Sequence, residues 1–144
     1  MSDVFEKKIM IIDDNNFSRQ LLAIKLKKDG FKALHIPDTS VEAWEQIAHA
    51  QLSNDPFHLI ITDLNMPDLD GMELISKIKE DELIKSLKVI VVSADADQII
   101  QDITLNLGAS AYLVKPVVPK EFIAVVKAVL NEQELPEVKG AFGA

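Results

Sequence analysis

The stretch Ile60–Asp68, IITDLNMPD, is an apolar run that stops on the carboxylate of Asp63 and passes straight into Asn65, Met66 and Pro67. A short run rich in β-branched side chains reads as a strand buried on both faces, too short for a helix. The run proper, Leu59–Ile61, has three counterparts in Ile9–Ile12, Val89–Val92 and Tyr112–Val114. A weaker segment, Lys32–Ile36 (KALHI), alternates polar and apolar residues as an edge strand does, and falls between the first two strong runs.

Helical patterns fill the gaps. Asn16–Asp29 opens on Asn and Ser and stops at Gly30, a natural C-terminal cap. The next helix starts at Thr39, with Glu42 at capping-box spacing and Val41, Trp44, Ile47 and Ala48 on one stripe. A third covers about Met72–Glu80. The fourth groups Ile99, Ile100, Ile103 and Leu107 before Gly108, and the fifth groups Phe122, Val125, Val126, Val129 and Leu130 behind Pro119. Strict alternation of continuous apolar strands with helices predicts a doubly wound α/β domain, a parallel sheet covered on both faces.

The 144 residues, 48 % hydrophobic, suit one domain with a substantial core. Ala50–Phe57 (AQLSNDPF) lengthens the second helix or its exit loop. After Leu130 the sequence NEQELPEVKGAFGA turns polar and gains Pro136, Gly140 and Gly143, so residues 1–131 read as the domain and 132–144 as a C-terminal tail or interdomain linker. A formal net charge of −8 disfavours direct binding to nucleic acid or to an anionic membrane. There is no cysteine for a disulfide or a thiolate site, and no apolar stretch approaches the roughly 20 residues that span a bilayer. The expected location is cytoplasmic.

The polar residues fall where a doubly wound sheet puts its ligands, beyond the carboxyl ends of the strands. The first strand ends in Asp13 and Asp14, the third in Asp63, the fourth in Ser93 and the fifth in Lys115. One such Asp reads as a cap or turn residue, but five polar ends converging on one crevice do not. Three carboxylates repel: at roughly 4 Å and an effective dielectric near 20, a pair of unit charges costs on the order of 4 kcal/mol. Lys115 supplies one positive charge, and a hard divalent cation brings the formal sum to zero. All-oxygen donors point to Mg²⁺, while His35, His49 and His58 share no zinc spacing. A carboxylate facing a metal-bound phosphoryl donor can act as nucleophile, which makes Asp63 the candidate, with Ser93 placed to hydrogen-bond a phosphoryl oxygen.

Taken together, IIDDNN, IITDLNMPDLDG, VIVVSA and YLVKP resemble, in order and spacing, the receiver domain of two-component response regulators, over about Lys7–Asn131. The resemblance implies a flavodoxin-like five-stranded sheet in order 2-1-3-4-5 with five helices. It implies that Asp63 is the phosphoacceptor, and that Asp14 and Asp63 ligate Mg²⁺ directly. Asp13 does so through water, Asn65 through its backbone carbonyl, and Lys115 pairs with the phosphoryl group. Ser93 and Tyr112 become the switch, the hydroxyl moving toward the phosphoryl group while the ring turns inward. The Lys115–Pro116 peptide is implied to be cis. Asn65 and Asp95 flank the path of attacking water and tune the lifetime of the acyl phosphate.

Met66, Pro67 and Gly71 shape the loop beyond Asp63, with Gly71 expected to relieve a strained backbone, while Asp68 and Asp70 read as solvated loop or cap residues. The departures from the pattern are small: Ser93 stands in place of the commoner Thr, and Val118 where a capping Ser or Thr often precedes the last helix.

The function so implied is a phosphorylation-controlled signalling module rather than an enzyme. A histidine kinase or histidine phosphotransfer protein donates the phosphoryl group. The change is read by an output domain or partner on the fourth helix, fifth strand and fifth helix, and a phosphorylation-dependent homodimer is a further expected partner. An alternative is a hydrolase with an aspartyl-phosphate intermediate, but its Asp-x-Asp signature is missing, since Asn65 occupies the place of the second acid. A flavin-binding protein of the same fold would place Ser, Thr and Gly where IIDDNN places two negative charges.

Overall fold

The computed structural model describes residues 3–136 and the backbone of residues 141–143. A short 3₁₀ turn, Val4–Glu6, leads into β1 (Lys8–Ile12), α1 (Asn16–Asp29), β2 (Ala33–His35), α2 (Ser40–Leu52), β3 (Leu59–Thr62) and α3 (Gly71–Glu80). There follow β4 (Lys88–Ser93), α4 (Gln98–Leu107), β5 (Ala111–Val114) and α5 (Pro119–Leu130). The five parallel strands stand in the order β2-β1-β3-β4-β5, as the family resemblance implies. A sixth strand, β6 (Ala141–Gly143), runs antiparallel along β5, with Tyr112 opposite Phe142. This strand comes from the segment expected to be a tail or linker; of that segment, Gly140 lies outside the described residues.

Side-chain alternation along the strands divides the core in two. Ile9, Ile11, Leu59, Ile61, Ile90 and Val92 face α1 and α5, where Leu22, Leu26, Phe122, Val125 and Val126 close over them. Met10, Ile12, Ile60, Val89, Val91 and Tyr112 face the other way, under Ala43, Ile47, Leu74, Ile75 and Ile78 of α2 and α3. Burial on both faces explains why the strands are apolar without interruption. The capping residues act as the sequence predicts: Thr39 accepts the Glu42 N–H, Asp70 accepts the Glu73 N–H, and Gly30 ends α1 at φ 112°.

Two helical stripes differ from expectation. Val41 on α2 is exposed, and the buried positions of that helix are Ser40, Ala43, Ile47 and Ala50. On α4 the buried residues are Gln101 and Thr104, whereas Ile99 and Ile103 face outward, 67 % and 44 % exposed. Apolar periodicity locates such a helix but sets its rotation poorly, because the neighbouring sheet covers only part of its surface. Among the described residues, no helix is long and apolar enough to cross a membrane.

Candidate functional site

The chain leaves each parallel strand at the same end of the sheet, so the residues just after β1, β3, β4 and β5 meet there. Asp13 follows β1 and is buried, while Asp14 is exposed beside it. Asp63 follows β3, where its backbone N–H donates to the carbonyl of Ile12 at 3.0 Å and so ties the acid loop of β3 to the end of β1. Carboxylate oxygens of Asp13, Asp14 and Asp63 all lie within 4.8 Å of one another.

Lys115 sits between two of these acids. Its Nζ donates to Asp13 Oδ2 at 2.7 Å and to Asp63 Oδ2 at 2.9 Å. Its backbone N–H donates to the Ser93 carbonyl at 2.8 Å, registering β5 against β4 beneath the site, and the Lys115–Pro116 peptide is cis. Burial pulls the Lys115 ammonium down, but the hydrogen bonds and charges of Asp13 and Asp63 outweigh it, so its pKa lies above the usual lysine value.

The other oxygen of each carboxylate is held by backbone. Asp13 Oδ1 accepts the Asn15 N–H at 2.9 Å, and Asp63 Oδ1 accepts the N–H groups of Leu64 at 2.6 Å and Asn65 at 3.3 Å. Asn65 itself is solvent-exposed. Three carboxylates against one ammonium leave two formal negative charges in a crevice of hard oxygen donors. That donor set fits a divalent cation. A small cleft of about 170 Å³ opens beside it, lined by Asp13, Asp14, Asp38, Met66, Pro67 and Asp68 among others.

Ser93 and Tyr112 lie behind the crevice, both fully buried. The Ser93 hydroxyl oxygen accepts the Asp95 N–H at 3.2 Å, and the Tyr112 hydroxyl donates to the Asp95 carbonyl at 2.7 Å. Burial, seconded by the charges of Asp95, Asp63 and Asp97 and opposed by the hydrogen bond with Ser93, raises the Tyr112 pKa. The ring is thus turned inward, whereas the Ser93 hydroxyl engages the loop after β4 rather than Asp63.

Gly71 has a different reason from the one expected. Its φ is not positive. A Cβ there would instead fall on the Asp63 carbonyl oxygen and within 2.8 Å of Leu64 Cα. The residue is glycine because the start of α3 is pressed against the Asp63 loop, where the Gly71 N–H donates to the Leu64 carbonyl at 2.9 Å.

Sequence reasoning missed several supporting residues. Thr62 donates its hydroxyl to the Asp63 carbonyl at 2.8 Å, and the Ser40 hydroxyl accepts the Leu69 N–H at 3.2 Å, steadying the far side of the same loop. Arg19, on α1, donates to the carbonyls of Asp13 at 3.2 Å and Asp38 at 3.3 Å, joining two loops that wall the crevice. No spacing in the sequence marks these residues, since each bonds a backbone group, which every residue offers.

A doubly wound sheet with paired acids after β1, an acid after β3, a hydroxyl after β4 and a lysine after β5 defines the class. The response regulator receiver domain family matches residues 9–127, and the chain belongs to it. It is 33 % identical over 125 residues to the phosphate regulon transcriptional regulatory protein PhoB of Pseudomonas aeruginosa, covering 87 % of this chain and 52 % of PhoB. It is 26 % identical to the chemotaxis protein CheY1 of Helicobacter pylori, covering 88 % and 99 % of the two chains. The chain therefore spans about half of the first relative and nearly all of the second. Among solved structures, a CheY-like receiver domain protein from Methanospirillum hungatei superposes with a TM-score of 0.76 at 31 % identity, covering 89 % of this chain and 96 % of that one. A response regulator described as putative, from Chloroflexus aurantiacus, gives 0.78 at 27 % identity, covering 88 % and 98 %.

Proposed function

We propose that this chain is a phosphorylation-controlled signalling receiver in which Asp63 accepts a phosphoryl group from the phosphohistidine of a histidine kinase or a histidine phosphotransfer protein. The observation that carries the reading is the Asp63 carboxylate, gripped by Lys115 at 2.9 Å with two further carboxylates within 4.8 Å. A carboxylate so placed is oriented and lies next to a cation that remains charged throughout the neutral range.

In the transfer, a carboxylate oxygen of Asp63 forms the new bond to phosphorus as the phosphorus–nitrogen bond of the phosphohistidine breaks. The electron pair leaves on the imidazole, which takes up a proton from solvent. The Lys115 ammonium offsets charge on the transferring oxygens. Asp14, Asp63 and the Asn65 carbonyl would hold Mg²⁺, with Asp13 bound through water. When bound, the ion supplies two positive charges beside the phosphoryl oxygens.

The acyl phosphate then offers Ser93 a new acceptor. A hydroxyl that leaves the Asp95 N–H for a phosphoryl oxygen alters the loop that Tyr112 holds, and the phosphoryl group shifts the population only through such differential contacts. Asn65 and Asp95 flank the route of hydrolytic water and set the lifetime of the acyl phosphate. The face formed by α4, β5 and α5 passes the change to an output domain or partner, or to a second copy of the chain. Residues 1–131 act as the receiver in the cytoplasm, and 132–144 form a tail or linker whose residues 141–143 return to the sheet as β6.

Incubation with Mg²⁺ and acetyl phosphate followed by intact-mass measurement tests the assignment. One phosphoryl group is expected on the wild-type chain, with none on Asp63→Asn and little in the presence of a chelator. Equal modification of Asp63→Asn and wild type overturns it.

A further inference from the structure

Two side chains outside the acidic crevice hold the loop that joins β4 to α4. The Tyr112 hydroxyl donates to the carbonyl oxygen of Asp95 at 2.7 Å, and Gln101 Nε2 donates to the carbonyl of the next residue, Ala96, at 3.1 Å. Consecutive carbonyls of one loop are therefore fastened from β5 on one side and from α4 on the other. That loop begins at Ser93, whose hydroxyl oxygen takes the Asp95 N–H.

Gln101 is a poor choice for a residue that only fills space. It is 2 % exposed, and it and Thr104 are the buried residues of α4, the helix whose Ile99 and Ile103 face outward. Its Oε1 is buried and finds no hydrogen-bond partner among the described residues. An amide oxygen left unpaired in the interior is unfavourable, so leucine or methionine would meet the packing demand better. What the amide adds, and an apolar side chain cannot, is the bond to Ala96.

We propose that Gln101 is a positioning residue of the switch, a latch that keeps the Ala96 peptide in place so that the Ser93 and Tyr112 hydroxyls meet the β4–α4 loop in a single arrangement. The proposal rests on the reading of Ser93 and Tyr112 as the groups that respond to phosphorylation. Gln101 has no hydrogen bond to Asp13, Asp63 or Lys115, so its loss frees the loop and leaves the phosphoryl chemistry in place.

Gln101→Leu and Gln101→Met, made in the full chain, test it. Both are expected to melt at or above the wild-type temperature, because the unpaired oxygen is gone. Both are expected to take up phosphoryl group from acetyl phosphate and Mg²⁺ to the wild-type stoichiometry. In the unphosphorylated variants, backbone hydrogen exchange at Asp95, Ala96 and Asp97 should quicken by roughly tenfold or more. Tyr112, the chain's single tyrosine, gives a one-probe signal under isotope labelling, and that signal should shift or split.

Wild-type exchange rates with an unchanged Tyr112 signal in both variants overturn the latch. Unfolding of both also overturns it, since Gln101 would then be holding the fold rather than the loop. A wild-type chain that takes up no phosphoryl group breaks the proposed function instead. The mass measurement reveals that failure separately, and the loop measurements on unphosphorylated protein still decide the latch.

Discussion

The two ends of the sheet carry the same ingredients to different effect. Beyond the carboxyl ends, Lys115 bonds two carboxylates whose side chains are 1 % and 10 % exposed, and a third acid stands beside them. At the amino ends, Lys8 bonds the carboxylate of Asp55, 78 % exposed, at 3.3 Å. There Lys8 also donates to the Asp55 carbonyl at 2.8 Å and lies 4.4 Å from the centroid of the Phe57 ring. The second cluster is satisfied by its own partners and by water, and it fastens the loop before β3 to β1. The first retains excess negative charge that the protein does not neutralise. A lysine–carboxylate pair becomes a site when its surroundings leave charge unmatched in a partly dry crevice.

The largest expected effect separates the two lysines. Lys115→Met should slow phosphoryl uptake from acetyl phosphate by roughly tenfold or more, in line with the loss of one charge-stabilising donor at a reacting group. Lys8→Met should leave uptake within about twofold of wild type and cost stability by about 1 kcal/mol or less, the usual scale for a pair with a solvent-exposed partner. Time courses of intact mass read the first and urea unfolding the second. Equal effects on uptake would erase the distinction between the ends.

A pair of glycines sharpens the contrast geometrically. Gly71→Ala drives a methyl group into the backbone of Asp63 and Leu64. It should cost about 1–3 kcal/mol as overpacking does, and should impair phosphorylation by displacing the carboxylate. Gly30, near the amino end, has φ 112° and room for a Cβ, whose nearest neighbour would be the Phe5 ring at 3.4 Å. Gly30→Ala should therefore cost only the left-handed backbone penalty, roughly 1 kcal/mol, with phosphorylation intact.

These residues show where the sequence was legible. The strand positions follow from short apolar runs that only a doubly covered parallel sheet can bury, and the site follows from polar residues at the ends of those runs. Asp13, Asp14, Asp63, Ser93 and Lys115 meet because parallel strands all exit on one side. Orientation and close approach were not legible. The outward face of Ile99 and Ile103 depends on how α4 lies across its neighbours, the close packing behind Gly71 on where α3 starts, and β6 on an edge pairing that a polar, glycine-containing segment does not announce. Thr62, Ser40 and Arg19 escaped because their partners are backbone groups, which every residue possesses.

Excess charge at the carboxyl end also predicts a gain in stability from removing an acid. Asp14→Asn should melt higher than wild type by roughly 1–3 °C without metal, since it relieves repulsion among carboxylates. Mg²⁺ at about a hundredfold over its dissociation constant should raise the wild-type midpoint on the order of 5–10 °C, and most of that rise should vanish in Asp14→Asn. Asp55→Asn at the amino end should show neither change. A midpoint for Asp14→Asn below that of wild type would mean that the three acids are not in conflict.

The smallest effect comes from pH and belongs to the amino end. His58 Nδ1 accepts the Lys8 N–H at 2.9 Å, so that nitrogen carries no proton in the folded chain. Partial burial, with the charges of Lys7 and Lys8 and against that of Asp55, lowers the His58 pKa below its ordinary value near 6.5. A histidine held neutral in this way contributes stability in full above the unfolded-state value and loses it as pH falls through the folded-state value. Lys115 behaves in the opposite sense: its raised pKa keeps its contribution intact across the neutral range, to be lost only at alkaline pH. The urea midpoint should therefore fall between about pH 7 and about pH 5.5, and His58→Asn should flatten part of that fall. The ring keeps contact with solvent, so the change is modest. An unaltered slope in His58→Asn would mean that the acid sensitivity does not come from this histidine.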